Sequence, residues 1–122
     1  MKKIVTEATK ETPEIILDGA KGYFFFGGKS YPENTDEIYA PVHEYIEENC
    51  EQLPSKITIE FKWLYFNSST LKHIIKIIKV LKRNCDALEI LWVCKKDFDM
   101  VIEIGEEIKE GLDVDLKIII SD

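Results

Sequence analysis

The stretch Ile57-Thr58-Ile59-Glu60-Phe61-Lys62-Trp63-Leu64-Tyr65-Phe66-Asn67-Ser68-Ser69-Thr70 decides the fold that this sequence predicts. From Ile57 to Trp63 apolar side chains alternate with polar ones, which is typical of a β-strand with one buried face. The run from Leu64 to Phe66 is apolar throughout, as expected at the buried carboxyl end of a strand. Asn67, Ser68 and Ser69 all suit the N-cap of a helix. The stretch therefore predicts a strand that passes directly into a helix.

The flanking sequence extends this unit to an α/β domain with the element order β-β-α-β-α-β-α-β. Short apolar runs on either side of Gly19-Ala20-Lys21-Gly22 predict an initial β-hairpin, and a loop follows at 27–34. Pro41 is expected in the first turn of a helix, and Gly111 at the C-cap of the third. Successive βα units predict a mixed sheet of five strands, in which strands 57–66 and 88–94 are central parallel neighbours. The predicted elements are strands 14–18, 23–27, 57–66, 88–94 and 116–120, and helices from 41, over 69–83 and from 97.

Length and composition favour one soluble domain over residues 1–122. The longest apolar run is far shorter than the ~20 residues of a membrane span, and the N-terminus lacks a secretory signal, so we expect a cytoplasmic protein with no membrane insertion. Three cysteines, without a Cys-x-x-Cys pair, argue against a disulfide framework or a zinc site. The net charge of −7 argues against nucleic-acid binding. Residues 61–85 nevertheless carry six basic and no acidic residues, which suggests a surface that orients a partner.

No catalytic set can be assembled from the sequence, so we expect neither an enzyme nor a cofactor. A Gly-x-Ser-x-Gly elbow is absent, and the two histidines, His43 and His73, fall on separate helices. Gly27-Gly28-Lys29-Ser30 lacks the spacing of a phosphate-binding loop. Three acidic residues near the start of the third helix are typical of a solvated, dipole-matched terminus, and we predict no metal there: Asp97, Asp99 and Glu103.

A row of hydroxyls after strand 57–66 is the candidate functional feature. In open α/β sheets, functional groups gather at the carboxyl ends of strands. A phosphate on Ser68, Ser69 or Thr70 would meet the free N–H groups and the positive dipole end of the following helix. The row thus indicates a phosphorylation site, although simple N-capping explains the same residues. A small-ligand domain is a further hypothesis, since the aromatic residues at 23–26 could line a cavity.

Several signatures, in order, make the chain resemble the SiaC family of bacterial regulatory phosphoproteins. They are Ser30-Tyr31-Pro32-Glu33-Asn34, Ile38-Tyr39-Ala40-Pro41-Val42, the stretch 64–70, Trp92, Asp97-Phe98-Asp99-Met100 and Gly105-Glu106-Glu107. The resemblance covers nearly the whole chain. It implies a fold similar to STAS-type anti-sigma-factor antagonists, and an antagonist role in a partner-switching pathway is therefore an alternative function.

The resemblance also implies a mechanism. Members of the family are phosphorylated by a cognate kinase at the hydroxyl residue that follows the Asn, and a PP2C-type phosphatase reverses the modification. The unphosphorylated form binds and activates a diguanylate cyclase, which promotes cyclic-di-GMP production and biofilm formation. Carried over to this chain, the acceptor is Ser68, where family members often have Thr.

The predicted site therefore consists of Ser68, with Ser69 and Thr70 as alternative acceptors, and of residues that shape the site or contact the partner. The shaping residues are Asn67, Tyr65, Tyr31, Glu33, Asn34 and Lys72. The loop that holds Tyr31, Glu33 and Asn34 is expected to brace the turn at 67–70 or to contact the partner. Trp63 and Trp92 would join this surface only if they were exposed to solvent.

Overall fold

The protein is a six-stranded mixed sheet with three helices packed on one face. The structure is a computed structural model that describes residues 1–121. The strands lie in the sheet in chain order, from β1 at one edge to β6 at the other. The strands are β1 (Lys3–Thr6), β2 (Glu14–Asp18), β3 (Tyr23–Ser30), β4 (Lys56–Phe66), β5 (Ala87–Lys95) and β6 (Asp115–Ser121), and the helices are α1 (Thr35–Asn49), α2 (Ser68–Arg83) and α3 (Asp99–Leu112).

The pairing of the strands confirms the predicted mixed sheet. β2 and β3 form the antiparallel hairpin, and β3 to β6 are all parallel. β4 and β5 are adjacent and neither lies at an edge, as their two-sided apolar sequences predicted. The sheet has six strands rather than five because β1 pairs antiparallel with β2. β1 has four residues, of which only Ile4 is even partly buried, so this short strand lacks the apolar alternation that predicted β4.

The core lies between the sheet and the helix layer. Alternate residues of β4 point into it, and Phe24 and Phe26 fill it from β3. Phe26 stacks on Tyr39 and Phe61, so Phe26 is packed in the core instead of lining a ligand cavity. Trp63 and Trp92 are 1% and 0% exposed. Both indoles are therefore core residues and not part of a partner-facing surface.

Strand β3 continues to Ser30, so the predicted loop at 27–34 is shorter than expected. Gly28 has a positive φ of 96°, and the register of β3 against β4 shifts between Gly28 and Lys29. Gly28 pairs with Trp63 and Lys29 with Tyr65, which leaves one extra residue in β4. This bulge lets Phe66 point into the core while Tyr65 remains 47% exposed.

The boundaries of two helices differ from the prediction. α1 begins at Thr35 and not at Pro41, because the Asn34 side chain accepts a hydrogen bond from the Glu37 N–H at 3.2 Å and caps the helix six residues earlier. Pro41 lies inside α1 on its exposed side. The expectation that Gly111 caps α3 is wrong, since Gly111 is helical and Asp113 takes the left-handed conformation, with a φ of 50°. Short polar side chains such as Asp tolerate that conformation.

Candidate functional site

The turn between β4 and α2 presents two exposed hydroxyls at the start of a helix. Asn67 has extended backbone geometry, and its side-chain oxygen accepts a hydrogen bond from the Thr70 N–H at 2.9 Å. Asn67 is therefore the N-cap, and Ser68 and Ser69 are the first two helical residues. Both serines are exposed to solvent. Within residues 1–121, the side-chain hydrogen bonds that hold the turn come from Asn67 and Thr70 and not from the two serine hydroxyls.

Thr70, the third hydroxyl of the row, lies beneath the turn and is 0% exposed. Its hydroxyl donates to the Ser30 carbonyl oxygen at 3.1 Å and lies 2.8 Å from the Ser30 hydroxyl. The Ser30 hydroxyl in turn lies 2.8 Å from the Tyr39 phenol. Burial raises the pKa of Tyr39 to about 12, so the phenol stays neutral and can donate to Ser30. Three buried hydroxyls from β3, α1 and α2 thus hold the turn in place.

The last residue of β3 and the residue after it contact the turn and the end of β4 that leads into it. The Asn67 N–H donates to the Ser30 carbonyl oxygen at 3.1 Å, which ties the end of β3 to the cap of α2. The Tyr31 ring meets the Tyr65 ring edge-on, with 5.7 Å between centroids. Asn34 instead caps α1, and Glu33 is exposed. From the predicted loop, Ser30 bonds directly to the turn, and Tyr31 contacts the end of β4 just before it.

Lys72 is exposed one helical turn after Ser68. Residues four apart lie on the same face of a helix, so Lys72 can approach a group attached to Ser68. The first turn of α2 has no acidic residue to compensate the positive end of the helix dipole. The electrostatics of the turn therefore favour an anion over a cation.

A chain of polar contacts joins α1 to α2 beside this turn, and sequence reasoning missed it. His43 Nε2 lies 2.8 Å from His73 Nδ1, and His73 Nε2 lies 2.8 Å from an Asp36 carboxylate oxygen. The His73 ring also stacks on Tyr39, with centroids 4.9 Å apart. Burial, followed by the charge of Lys76, lowers the pKa of His43 to about 4. Because the two histidines are 30 residues apart, only the packing of α1 on α2 brings them together.

Other expected features are placed as follows. Asp97, Asp99 and Glu103 are exposed, and within residues 1–121 no three His, Cys, Asp or Glu side chains gather as a metal ion would require. In the same residues, none of the helices is both long and apolar enough to cross a membrane. Cys94 is buried, and burial raises the pKa of its thiol.

Fold and site together define a small α/β domain with a hydroxyl-bearing strand-to-helix turn that buried hydrogen bonds hold in place. The comparisons identify the group within that class. The family model described as SiaC family regulatory phosphoprotein matches residues 6–121, so the chain belongs to the SiaC family. The resemblance seen in the sequence motifs is confirmed.

The chain is also similar to a curated relative and to solved structures. An uncharacterized protein of Pseudomonas aeruginosa strain UCBPP-PA14 is 26% identical over 113 residues, which is 90% of each chain. SiaC of Pseudomonas aeruginosa matches with a TM-score of 0.86 and 22% identity, over 99% of this chain and 100% of that one. The diguanylate cyclase SiaD in complex with its activator SiaC, also from Pseudomonas aeruginosa, gives a match with a TM-score of 0.86 and 24% identity, over 97% and 99% of the two chains. At these identities, the structural matches show a shared fold.

Proposed function

We propose that this chain is a phosphorylation-controlled activator of a diguanylate cyclase. The unphosphorylated form binds the cyclase, a cognate Ser/Thr kinase phosphorylates Ser68 and ends the interaction, and a PP2C-type phosphatase restores it. Membership of a family of regulatory phosphoproteins supports the phosphorylation, and the complex of SiaD with its activator SiaC supports the choice of partner. The exchange takes place in the cytoplasm, where a kinase finds ATP and where free thiols such as the three of this chain stay reduced.

The contrast between the three hydroxyls of the turn carries this proposal. Thr70 is buried and hydrogen-bonded on both sides, so a kinase would have to open the core to reach it. Ser68 is exposed and directly follows the Asn67 cap. Ser69 is also exposed, and the order Asn-then-acceptor that marks the family favours Ser68 over it. Ser68 is the acceptor that combines accessibility with the expected motif position.

A phosphate at Ser68 would leave the fold intact. It adds roughly −1.5 to −2 charge at the positive end of the α2 dipole, where free N–H groups and Lys72 are available to stabilise it. A cyclase surface packed on the turn would instead meet a hydrated dianion. Burying such a group without a partner is unfavourable by several kcal/mol, so phosphorylation is expected to release the effector without unfolding the activator.

The test combines phosphosite mapping with binding measurements. The protein is incubated with the cognate kinase and ATP, and the modified residue is identified by mass spectrometry. Ser68→Ala, Ser68→Asp and the matched control Ser69→Ala are then titrated against the cognate SiaD-type cyclase. Ser68→Ala and Ser69→Ala should bind like the wild type, Ser68→Asp should bind at least about tenfold more weakly, and only Ser68→Ala should resist the kinase. Phosphate on Ser69 would refute the assignment, and equal binding by the Ala and Asp variants at position 68 would refute the switch.

A further inference from the structure

The outer face of α2 is a continuous row of cations. Four basic residues follow one another at helical spacing, and all four are exposed: Lys72, Lys76, Lys79 and Arg83. The opposite face of the helix, with Ile74, Ile77 and Leu81, is fully buried. Ser68 precedes Lys72 by four residues and so stands at the head of the same row. We call these four basic residues the basic ridge.

Contacts within the domain do not account for the basic ridge. Among residues 1–121, no ridge residue makes an ion pair, although α1 and α3 beside it are rich in Glu. By contrast Lys82, on the same helix, donates to the carbonyl oxygens of Leu112 and Asp113 at 3.0 and 2.9 Å and so caps the end of α3. Like charges four residues apart destabilise a helix. The helix dipole favours cations only near the C-terminus of a helix. It therefore does not explain Lys72, which lies near the N-terminus of α2.

A groove of about 230 Å³ between α1 and α2 lies beside two residues of the basic ridge. Lys76 and Arg83 line it, together with the apolar side chains of Ile46 and Val80, and Glu47 is the only acidic residue in its lining. His43 also lines the groove, and Lys76 is one of the causes that lower its pKa to about 4. The groove therefore combines an apolar floor with a positive rim.

We infer that the basic ridge and this groove receive an acidic, amphipathic segment of the effector protein, with carboxylates opposite the cations and apolar side chains on the partly exposed Val80. Charge complementarity selects this occupant, because an acid-free helix on a chain of net charge −7 attracts anionic surfaces locally. The inference rests on the proposed function and gives the chemistry of its partner. It also explains release, since a phosphate at Ser68 neutralises Lys72 and repels the incoming carboxylates.

Charge reversal on the ridge, with a matched reversal elsewhere, tests the inference. Lys76→Glu/Lys79→Glu is compared with Lys10→Glu/Lys21→Glu, which changes the net charge equally at two exposed positions outside α2. Unphosphorylated proteins are titrated against the purified cognate SiaD-type cyclase at about 0.05 M and about 0.5 M salt. We expect the ridge variant to bind at least about tenfold more weakly than the control variant at low salt. The affinities of the two variants should converge at high salt, because screening shortens the range of charge interactions.

Two outcomes would overturn the inference while leaving the proposed function in place. One is that the ridge variant binds as tightly as the control variant although Ser68→Asp still prevents binding. The other is a wild-type affinity that does not change with salt, a measurement that needs no variant and does not depend on how the substitutions fold. Equal binding by Ser68→Ala and Ser68→Asp would instead refute the proposed function itself. Circular dichroism of each variant verifies that it is folded.

Discussion

Replacing Thr70 by Val should show that the Thr70 hydroxyl stabilises the fold, whereas the Ser68 hydroxyl is the one that is phosphorylated. Valine matches the shape of threonine but removes the hydroxyl that bonds the carbonyl oxygen and the hydroxyl of Ser30. The Ser30 carbonyl keeps the Asn67 N–H as a donor, and the Ser30 hydroxyl keeps the Tyr39 phenol. The loss is thus two neutral hydrogen bonds at a site with no solvent access. At about 1 kcal/mol each, Thr70→Val should lower the free energy of unfolding by about 2 kcal/mol.

Thr70→Ser is the matched control, because it keeps the hydroxyl and removes only a buried methyl group, at a cost of about 1 kcal/mol. Urea unfolding followed by circular dichroism measures both variants against the wild type, with Ser69→Ala as an exposed reference that should change stability by less than about 0.5 kcal/mol. The kinase should still phosphorylate Thr70→Val, since Ser68 is unchanged. A Thr70→Val protein as stable as the wild type, or one no less stable than Thr70→Ser, would show that the hydroxyl contacts do not hold the turn.

Two further predictions concern α3 and α1. A Cβ on Gly105 would lie 2.5 Å from Cδ1 of the Trp92 ring, so Gly105→Ala should destabilise the protein by about 1–3 kcal/mol in urea unfolding. Gly111→Ala in the same helix meets nothing within 4 Å and should instead stabilise it by up to about 1 kcal/mol, and the same sign for both would contradict this packing. Because the folded-state pKa of His43, about 4, lies below the unfolded value of about 6.5, its contribution to stability is present above pH 6.5 and is lost as the pH falls toward 4. Screening at this half-exposed site limits the effect to the order of 1 kcal/mol, and His43→Gln should lose that much less stability than the wild type between pH 7 and about pH 4.5; identical pH profiles would argue against it.

Local pattern was sufficient to predict most of the fold. Strand β4 and its passage into α2 depend on alternation, helical spacing and a capping side chain, all of which act between residues a few positions apart. The cap at Asn67 and the exposure of Ser68 belong to this local level. The errors have local causes too: Asn34 capped α1 before Pro41, and Asp113 rather than Gly111 adopted the left-handed conformation after α3.

What the sequence determined by itself is therefore the order of elements from β2 onward, the parallel pairing at the centre of the sheet and the position of the hydroxyl row. The tertiary structure alone decided that Thr70, unlike Ser68 and Ser69, is buried and unavailable. Thr70 is buried because Ser30, 40 residues earlier, lies opposite Phe66 in the parallel register of β3 and β4 and so points beneath the turn. The pairing of His43 with His73 and the addition of β1 to the sheet depend in the same way on contacts between distant segments. A sequence pattern reports the preferences of neighbouring residues. These contacts form only when folding brings separate segments together, which costs conformational entropy.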